Sequence, residues 1–125
     1  MDLIKKIGVV GGDLRIVELA KMLANDKFEV LAYGMEKAKF PGIKITNTIE
    51  ECVKDADIVV GPLPISSNAQ DVNMPFSYNK LSIKEFITKL SGKTVIAGAI
   101  KPEMYELAKE NKVNLIDIVK REELA

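Results

Sequence analysis

The stretch from Lys6 to Arg15, KIGVVGGDLR, constrains the fold of this chain more than any other. A short apolar run (Ile7, Val9, Val10) stops at a double glycine, Gly11-Gly12. Asp13 and Arg15 follow, and an amphipathic pattern begins at Leu14. This is how a first β-strand hands over to a first helix in an α/β domain. Ligands of such sheets sit at the carboxyl ends of the strands, so the same residues say where a site would lie.

The rest of the chain repeats the alternation. Strand one is Lys6–Val10, and helix one, Leu14–Asn25, is expected to place Leu14, Val17, Ala20, Leu23 and Ala24 on one face. Strand two is Glu29–Tyr33 and strand three a short Ile43–Thr46. Thr48-Ile49-Glu50-Glu51 reads as a capping box opening a helix to about Lys54. Strand four, Asp57–Gly61, is an unbroken apolar run in its middle, as in buried parallel strands. Ser82-Ile83-Lys84-Glu85 is a second capping box. Its helix turns Phe86, Ile87 and Leu90 inward and is expected to end at Gly92. Strand five is Thr94–Ala97, Pro102 opens a helix to about Asn111, and strand six is Asn114–Ile118. The order predicts an α/β fold: a doubly wound, mostly parallel sheet of about six strands with helices on both faces, a Rossmann-like or flavodoxin-like three-layer sandwich.

Composition removes several classes of function. The chain has 125 residues, enough for one domain with a real core. Lys plus Arg equals Asp plus Glu, 18 each, so no net charge draws it to nucleic acid or an anionic membrane. No apolar run reaches the ~20 residues of a membrane span, and the N-terminus does not read as a signal peptide. The single cysteine, Cys52, permits no intrachain disulfide and reads as a core thiol; together these features predict a cytoplasmic protein. There is no histidine. That excludes a Ser-His-Asp triad, a Cys-His pair and a His-rich metal site within the chain, and no metal site is expected.

Three segments could carry chemistry, all at the carboxyl edge of the sheet. The first is Gly11, Gly12, Asp13 and Arg15. A GxGxxG fingerprint begun at Gly11 would need glycines where Asp13 and Ile16 stand. Strand two ends Tyr33-Gly34-Met35, without the acidic residue that holds a ribose. This argues against standard dinucleotide binding. Asp13 fits an N-cap, while Arg15 and the backbone N–H groups could receive a carboxylate or phosphate, and the two readings can coexist. The second is the stretch from Pro62 to Lys80, with about sixteen residues of no clear secondary structure. It offers Pro64, Ser66, Ser67 and Lys80, either as a site or lid or as a surface excursion that docks a partner through Met74, Pro75 and Phe76. The third is Lys101, in Gly98–Pro102, as an anion partner or a solvated lysine. Lys101-Pro102 also suggests a phosphorelay receiver, but strand three ends Thr46-Asn47 and strand four Gly61-Pro62, with no phosphoacceptor aspartate.

The runs GVVGGDLRIVELAKML, DADIVVGPLPIS and TVIAGAIKPEMYELAKENKVNLIDIVKREELA together resemble the N-terminal domain of the dipicolinate synthase A subunit over essentially the whole chain. The most specific parts are the turn Gly11, Gly12, Asp13, Arg15 and the closing Arg121-Glu122-Glu123-Leu124-Ala125. The resemblance implies one α/β domain over residues 1–119. Residues 120–125 would begin a linker to a second, NADP-binding domain, in an architecture like the D-2-hydroxyacid dehydrogenases. It implies oxidation of dihydrodipicolinate to dipicolinate in sporulating bacteria. The implied partner is the flavoprotein-like dipicolinate synthase B subunit, and a homo-oligomer is a further option. The ring dicarboxylate substrate would draw on Arg15, Lys80 and Lys101. The resemblance carries over no catalytic residue. Two other classes stay open at this point: a nucleotide-binding regulatory module, and an assembly module docking the partner subunit.

Overall fold

A computed structural model describes residues 4–38, 43–66, 68 and 70–118. The six strands are β1 (Lys6–Val10), β2 (Glu29–Tyr33), β3 (Lys44–Ile45), β4 (Ile58–Val60), β5 (Thr94–Ala97) and β6 (Asn114–Asp117). They form one sheet in the order β3-β2-β1-β4-β5-β6, with every pair parallel. The helices are α1 (Leu14–Asn25), α2 (Ile49–Val53), α3 (Ile83–Thr88) and α4 (Pro102–Glu110). The strand order reverses between β1 and β4, so the switch point, where such sheets open a crevice, lies beyond Val10 and Val60.

Local chemistry explains the helix starts. Asp13, Thr48 and Ser82 each cap a helix, accepting from the backbone N–H of Arg15, Glu51 and Glu85 respectively. Each cap satisfies one of the N–H groups that a helix start leaves without a partner. Pro102 occupies the first turn of α4, where its missing N–H costs nothing.

The core has two parts, one on each face of the sheet. Ile16, Val17 and Ala20 of α1 pack on Ile7, Val9, Val30 and Ala32. On the other face, α2, α3 and α4 pack on Val10, Val59, Val95 and Leu115 through Cys52, Phe86, Met104 and their neighbours. Among the described residues, helices therefore lie on both faces as expected, but unevenly, one against three.

Several expectations need correction. Leu14 is 62% exposed and faces solvent. It is the first helical residue after the Asp13 cap, and Ile16 takes the inward place instead, folded back over Gly12. Gly92 does not end α3. The helix closes at Thr88 through a tighter turn in which the Leu90 N–H donates to the Ile87 carbonyl (3.1 Å). Leu90 is fully buried just past that turn, and Gly92 (φ +81°) instead serves the bend before β5, donating to the Lys112 carbonyl at 3.0 Å. β3, β4 and β6 are each shorter than the apolar runs suggested.

Candidate functional site

Two turns meet at the switch point. After β1 the chain passes Gly11 (φ +65°) and Gly12 (φ +105°), conformations that favour glycine. Asp13 then caps α1 with its carboxylate, 3.0 Å from the Arg15 amide. The Arg15 side chain turns back onto the same carboxylate, with Nη2 3.0 Å from Oδ2 and Nε 3.3 Å from it. Nη2 also donates to the Leu63 carbonyl at 2.7 Å. Arg15 thus ties the start of α1 to the turn after β4, across the switch point. This hydrogen-bonded guanidinium holds the Asp13 carboxyl below its usual pKa. Both side chains are well exposed, so the pair matters for placement more than for stability. Nη1 of Arg15 carries no protein partner among the described residues, and the side chain is 64% exposed.

Much of the long segment after β4 packs on the domain instead of standing clear as a surface excursion. It is fastened across the carboxyl edge of the sheet. The Ile65 N–H donates to the Gly98 carbonyl (2.8 Å), the Asn73 N–H to the Ile65 carbonyl (2.9 Å) and the Gly12 N–H to the Asn73 carbonyl (2.8 Å). The Val72 N–H donates to the Leu81 carbonyl beside a bridge between Asp71 and Ser82. Ile65, Val72, Met74 and Leu81 are buried. Met74 lies against both glycine turns of the first two strands. A Cβ on Gly11 would come 2.6 Å from Met74 Cγ and 2.9 Å from the Asn73 carbonyl oxygen, and one on Gly34 would come 2.5 Å from Met74 Sδ. The expected docking patch Met74–Phe76 is therefore not a free surface: Met74 is buried and Phe76 packs against the α1-side core, leaving only Pro75 exposed.

This packing explains the glycines without a nucleotide. Gly11 and Gly34 make room for Met74, and Gly12 makes room for Ile16, whose Cβ would be 2.5 Å from a Cβ at that position. The amides are occupied too, Gly11 N–H by the Tyr33 carbonyl (2.8 Å) and Gly12 N–H by Asn73. A pyrophosphate at this turn would meet Asn73, Met74 and the Asp13 carboxylate, so these residues do not fit the phosphates of a dinucleotide.

The other expected site residues are distributed as follows. Pro64 and Ser66 lie half-buried on the turn that Arg15 reaches, and Ser66 Oγ is 3.2 Å from the Asn68 side-chain oxygen. Ser67 lies outside the described residues, as do residues 119–125. Lys101 is exposed as the N-cap residue of α4, at the same edge, and makes no side-chain capping bond. Lys80 is exposed two residues before the Ser82 cap, and no hydrogen bond or ion pair joins it to the Arg15 group.

Sequence reasoning missed four contributors: Leu63 through its carbonyl, Asn73, Glu36 and Asp117. Glu36 accepts from Ser77 Oγ (3.0 Å) and the Tyr78 N–H (3.2 Å), pinning the segment to the end of β2, while its other oxygen is buried without a hydrogen bond among the described residues. Asp117 is buried at the end of β6 and accepts the Ile100 N–H at 2.8 Å, holding the turn before Lys101. An aspartate closing an otherwise apolar strand was the available signal for it. Cys52 is a core thiol as expected. It is fully buried, with Sγ 3.5 Å from the Leu31 carbonyl, and burial pushes its pKa up to about 12. Among the described residues no helix is long and apolar enough to cross a membrane, and no group of three or more Cys, Asp or Glu is placed to hold a metal.

Comparison with known proteins places this geometry. Residues 6–119 match the family model described as the N-terminal domain of the dipicolinate synthase A subunit. A search of curated proteins finds no match. Solved structures with a similar fold include the dipicolinate synthase A subunit from Bacillus halodurans, at TM-score 0.78 and 20% identity, covering 96% of this chain and 42% of that one. Its counterpart in dipicolinate synthase from Bacillus subtilis also has TM-score 0.78 and 20% identity, over 97% of this chain and 42% of its own. An imine reductase variant from Myxococcus stipitatus, solved with NAD+, is more distant, at TM-score 0.64 and 17% identity over 93% and 40%. The chain spans less than half the length of each of these structures.

Proposed function

This chain belongs to the family of dipicolinate synthase A-subunit N-terminal domains, and from that premise we propose that it is the substrate-side domain of a two-domain, NADP-dependent oxidoreductase. The reaction would be oxidation of dihydrodipicolinate to dipicolinate in the cytoplasm of a sporulating bacterium. The dipicolinate synthase B subunit would be its partner, and a second, NADP-binding domain would follow residue 119. The observation that carries this reading is Arg15: a guanidinium held at the switch point by Asp13 and the Leu63 carbonyl, beside a glycine turn already filled by Asn73 and Met74. The switch point presents an exposed guanidinium that a carboxylate could meet, and its glycine turn leaves no cradle for a pyrophosphate.

The substrate is a ring dicarboxylate. One carboxylate would meet Arg15 through Nη1, as charge-assisted hydrogen bonds are about twice as strong as neutral ones. Pro64, Ser66 and Ser67 would line the cleft, with Asp13 holding Arg15 in place and Gly11 and Gly12 covered beneath the Met74 segment. Lys101 would face the second carboxylate from the turn after β5, and Lys80 would enter from the rim. These residues bind and orient. NADP, the hydride acceptor, would be held by the second domain, so the chain alone is expected to bind substrate weakly and turn none over.

Calorimetric titration of the chain with dipicolinate tests this. Binding is expected to weaken at least tenfold in Arg15→Ala and to be only partly restored by Arg15→Lys, which keeps the charge but not the planar fork. Turnover by the isolated chain, or dipicolinate affinity unchanged in Arg15→Ala, would overturn the proposal.

A further inference from the structure

The turns after β4 and β5 are clamped together at Gly98. Its N–H donates to the Pro62 carbonyl (3.1 Å) and its carbonyl accepts the Ile65 N–H (2.8 Å), so the Pro62–Ile65 turn grips it on both sides. Ile65 is fully buried and anchors that grip. The Leu63 side chain fills the space beside Gly98 where a Cβ would stand. Such a Cβ would overlap Leu63 Cδ1 and lie 2.9 Å from Cγ and 3.2 Å from Cβ of the same leucine. The Gly98 backbone is not in the left-handed region, so what glycine supplies here is room for Leu63. Two cations hang on this clamp, one from each turn. The Leu63 carbonyl accepts Arg15 Nη2 at 2.7 Å. Lys101 follows Gly98 on a turn that Asp117 holds by accepting the Ile100 N–H at 2.8 Å.

We propose that the Leu63–Gly98 contact sets the spacing between Arg15 and Lys101, and so makes the site prefer a ring carrying two carboxylates to the same ring carrying one. This rests on the reading above that these two cations meet the two carboxylates of the substrate. Lys101 does not set the spacing itself, because its ammonium ends a flexible, exposed stem, whereas a guanidinium is a planar fork that must be aimed. The aim comes from the Asp13 carboxylate and the Leu63 carbonyl, which share Nη2. A ligand that bridges both cations gains most when the turns that carry them are already fixed, since ordering them on binding is subtracted from its affinity. A ring with one carboxylate needs Arg15 alone. Leu63 and Gly98 are also a matched pair. Gly98→Ala overfills the contact, Leu63→Ala empties it, and the two together put a methyl back where Leu63 Cδ1 stood.

The test is titration of wild type, Gly98→Ala, Leu63→Ala and the double variant with dipicolinate and with picolinate, which carries one carboxylate on the same ring. Wild type is expected to favour dipicolinate. That preference is expected to fall about fivefold in Gly98→Ala and about threefold in Leu63→Ala, and to return to within about twofold of wild type in the double variant. The Arg15 Nε–H resonance of the labelled chain, assigned by its loss in Arg15→Lys, gives a readout without ligand: it should move in Gly98→Ala and return in the double variant. If Gly98→Ala does not fold, Leu63→Ala and the double variant carry the same comparison. A preference unchanged in the single variants, a double variant no better than they are, or an Arg15 resonance left in place by Gly98→Ala would overturn the clamp. Wild type that binds dipicolinate no better than picolinate overturns the substrate reading and the discrimination with it, and the Arg15 resonance then still decides whether Leu63 and Gly98 aim Arg15.

Discussion

Gly11→Ala tests the claim that the glycine turn serves the chain's own Met74 segment. The new Cβ would lie 2.6 Å from Met74 Cγ and 2.9 Å from the Asn73 carbonyl oxygen, at a residue with φ +65°. The left-handed backbone costs an alanine about 1–2 kcal/mol. Forcing one carbon into a packed region costs about 1–3 kcal/mol more. The sum, about 2–5 kcal/mol, is a large part of the stability of a small domain. Met74→Ala removes the nearer of the two obstacles, so Gly11→Ala should cost about 1 kcal/mol less or better in that background. The assay is urea unfolding of wild type, both single variants and the double variant, followed by circular dichroism. A Gly11→Ala loss below about 0.5 kcal/mol, or a cost unchanged by Met74→Ala, would refute the argument.

Three further predictions follow from the same structure. Asp57 accepts the amides of Lys5 and Lys6 at 2.9 Å each, which holds its pKa below the usual carboxylate value. Its contribution is therefore present above the unfolded value of about 3.9 and lost as pH falls through the lower folded one. The urea-midpoint gap between wild type and Asp57→Asn should stay constant above about pH 5 and close in more acid solution, and a gap unchanged at pH 2 would contradict it. Cys52, fully buried with its pKa raised to about 12, should be alkylated in the native chain only as fast as the chain unfolds, measured with iodoacetamide at pH 8. Asp117→Ala should cost about 1–3 kcal/mol by leaving the Ile100 N–H unpaired, with Asn costing less because it keeps an acceptor, as urea unfolding would show.

Local chemistry was readable in the sequence. Asp13, Thr48 and Ser82 announced their helices because a cap needs only its next three residues. The alternation of runs implied a parallel sheet, and Gly11-Gly12 located the switch point. The path of the segment after β4 was not readable, because its partners are distant in sequence. Asn73 pairs with Gly12, Ile65 with Gly98 and Ser77 with Glu36, and no local pattern encodes such pairings. For the same reason Met74 reads as surface in the sequence, although Gly34 at the end of β2 already marked a close approach. Leu14 failed in the opposite way: the helical period held, but a first-turn residue lies beyond the edge of the core it points along.

The most direct test of the account is a pair of amide proton–nitrogen spectra of the labelled chain, one with NADP and one with dipicolinate. The account predicts that NADP leaves Gly11, Gly12 and Asn73 unmoved, and that dipicolinate shifts Arg15 and its neighbours around Leu63. Saturable NADP shifts at Gly11, Gly12 and Asn73 would contradict it, because a nucleotide could reach that turn only by displacing the Met74 segment.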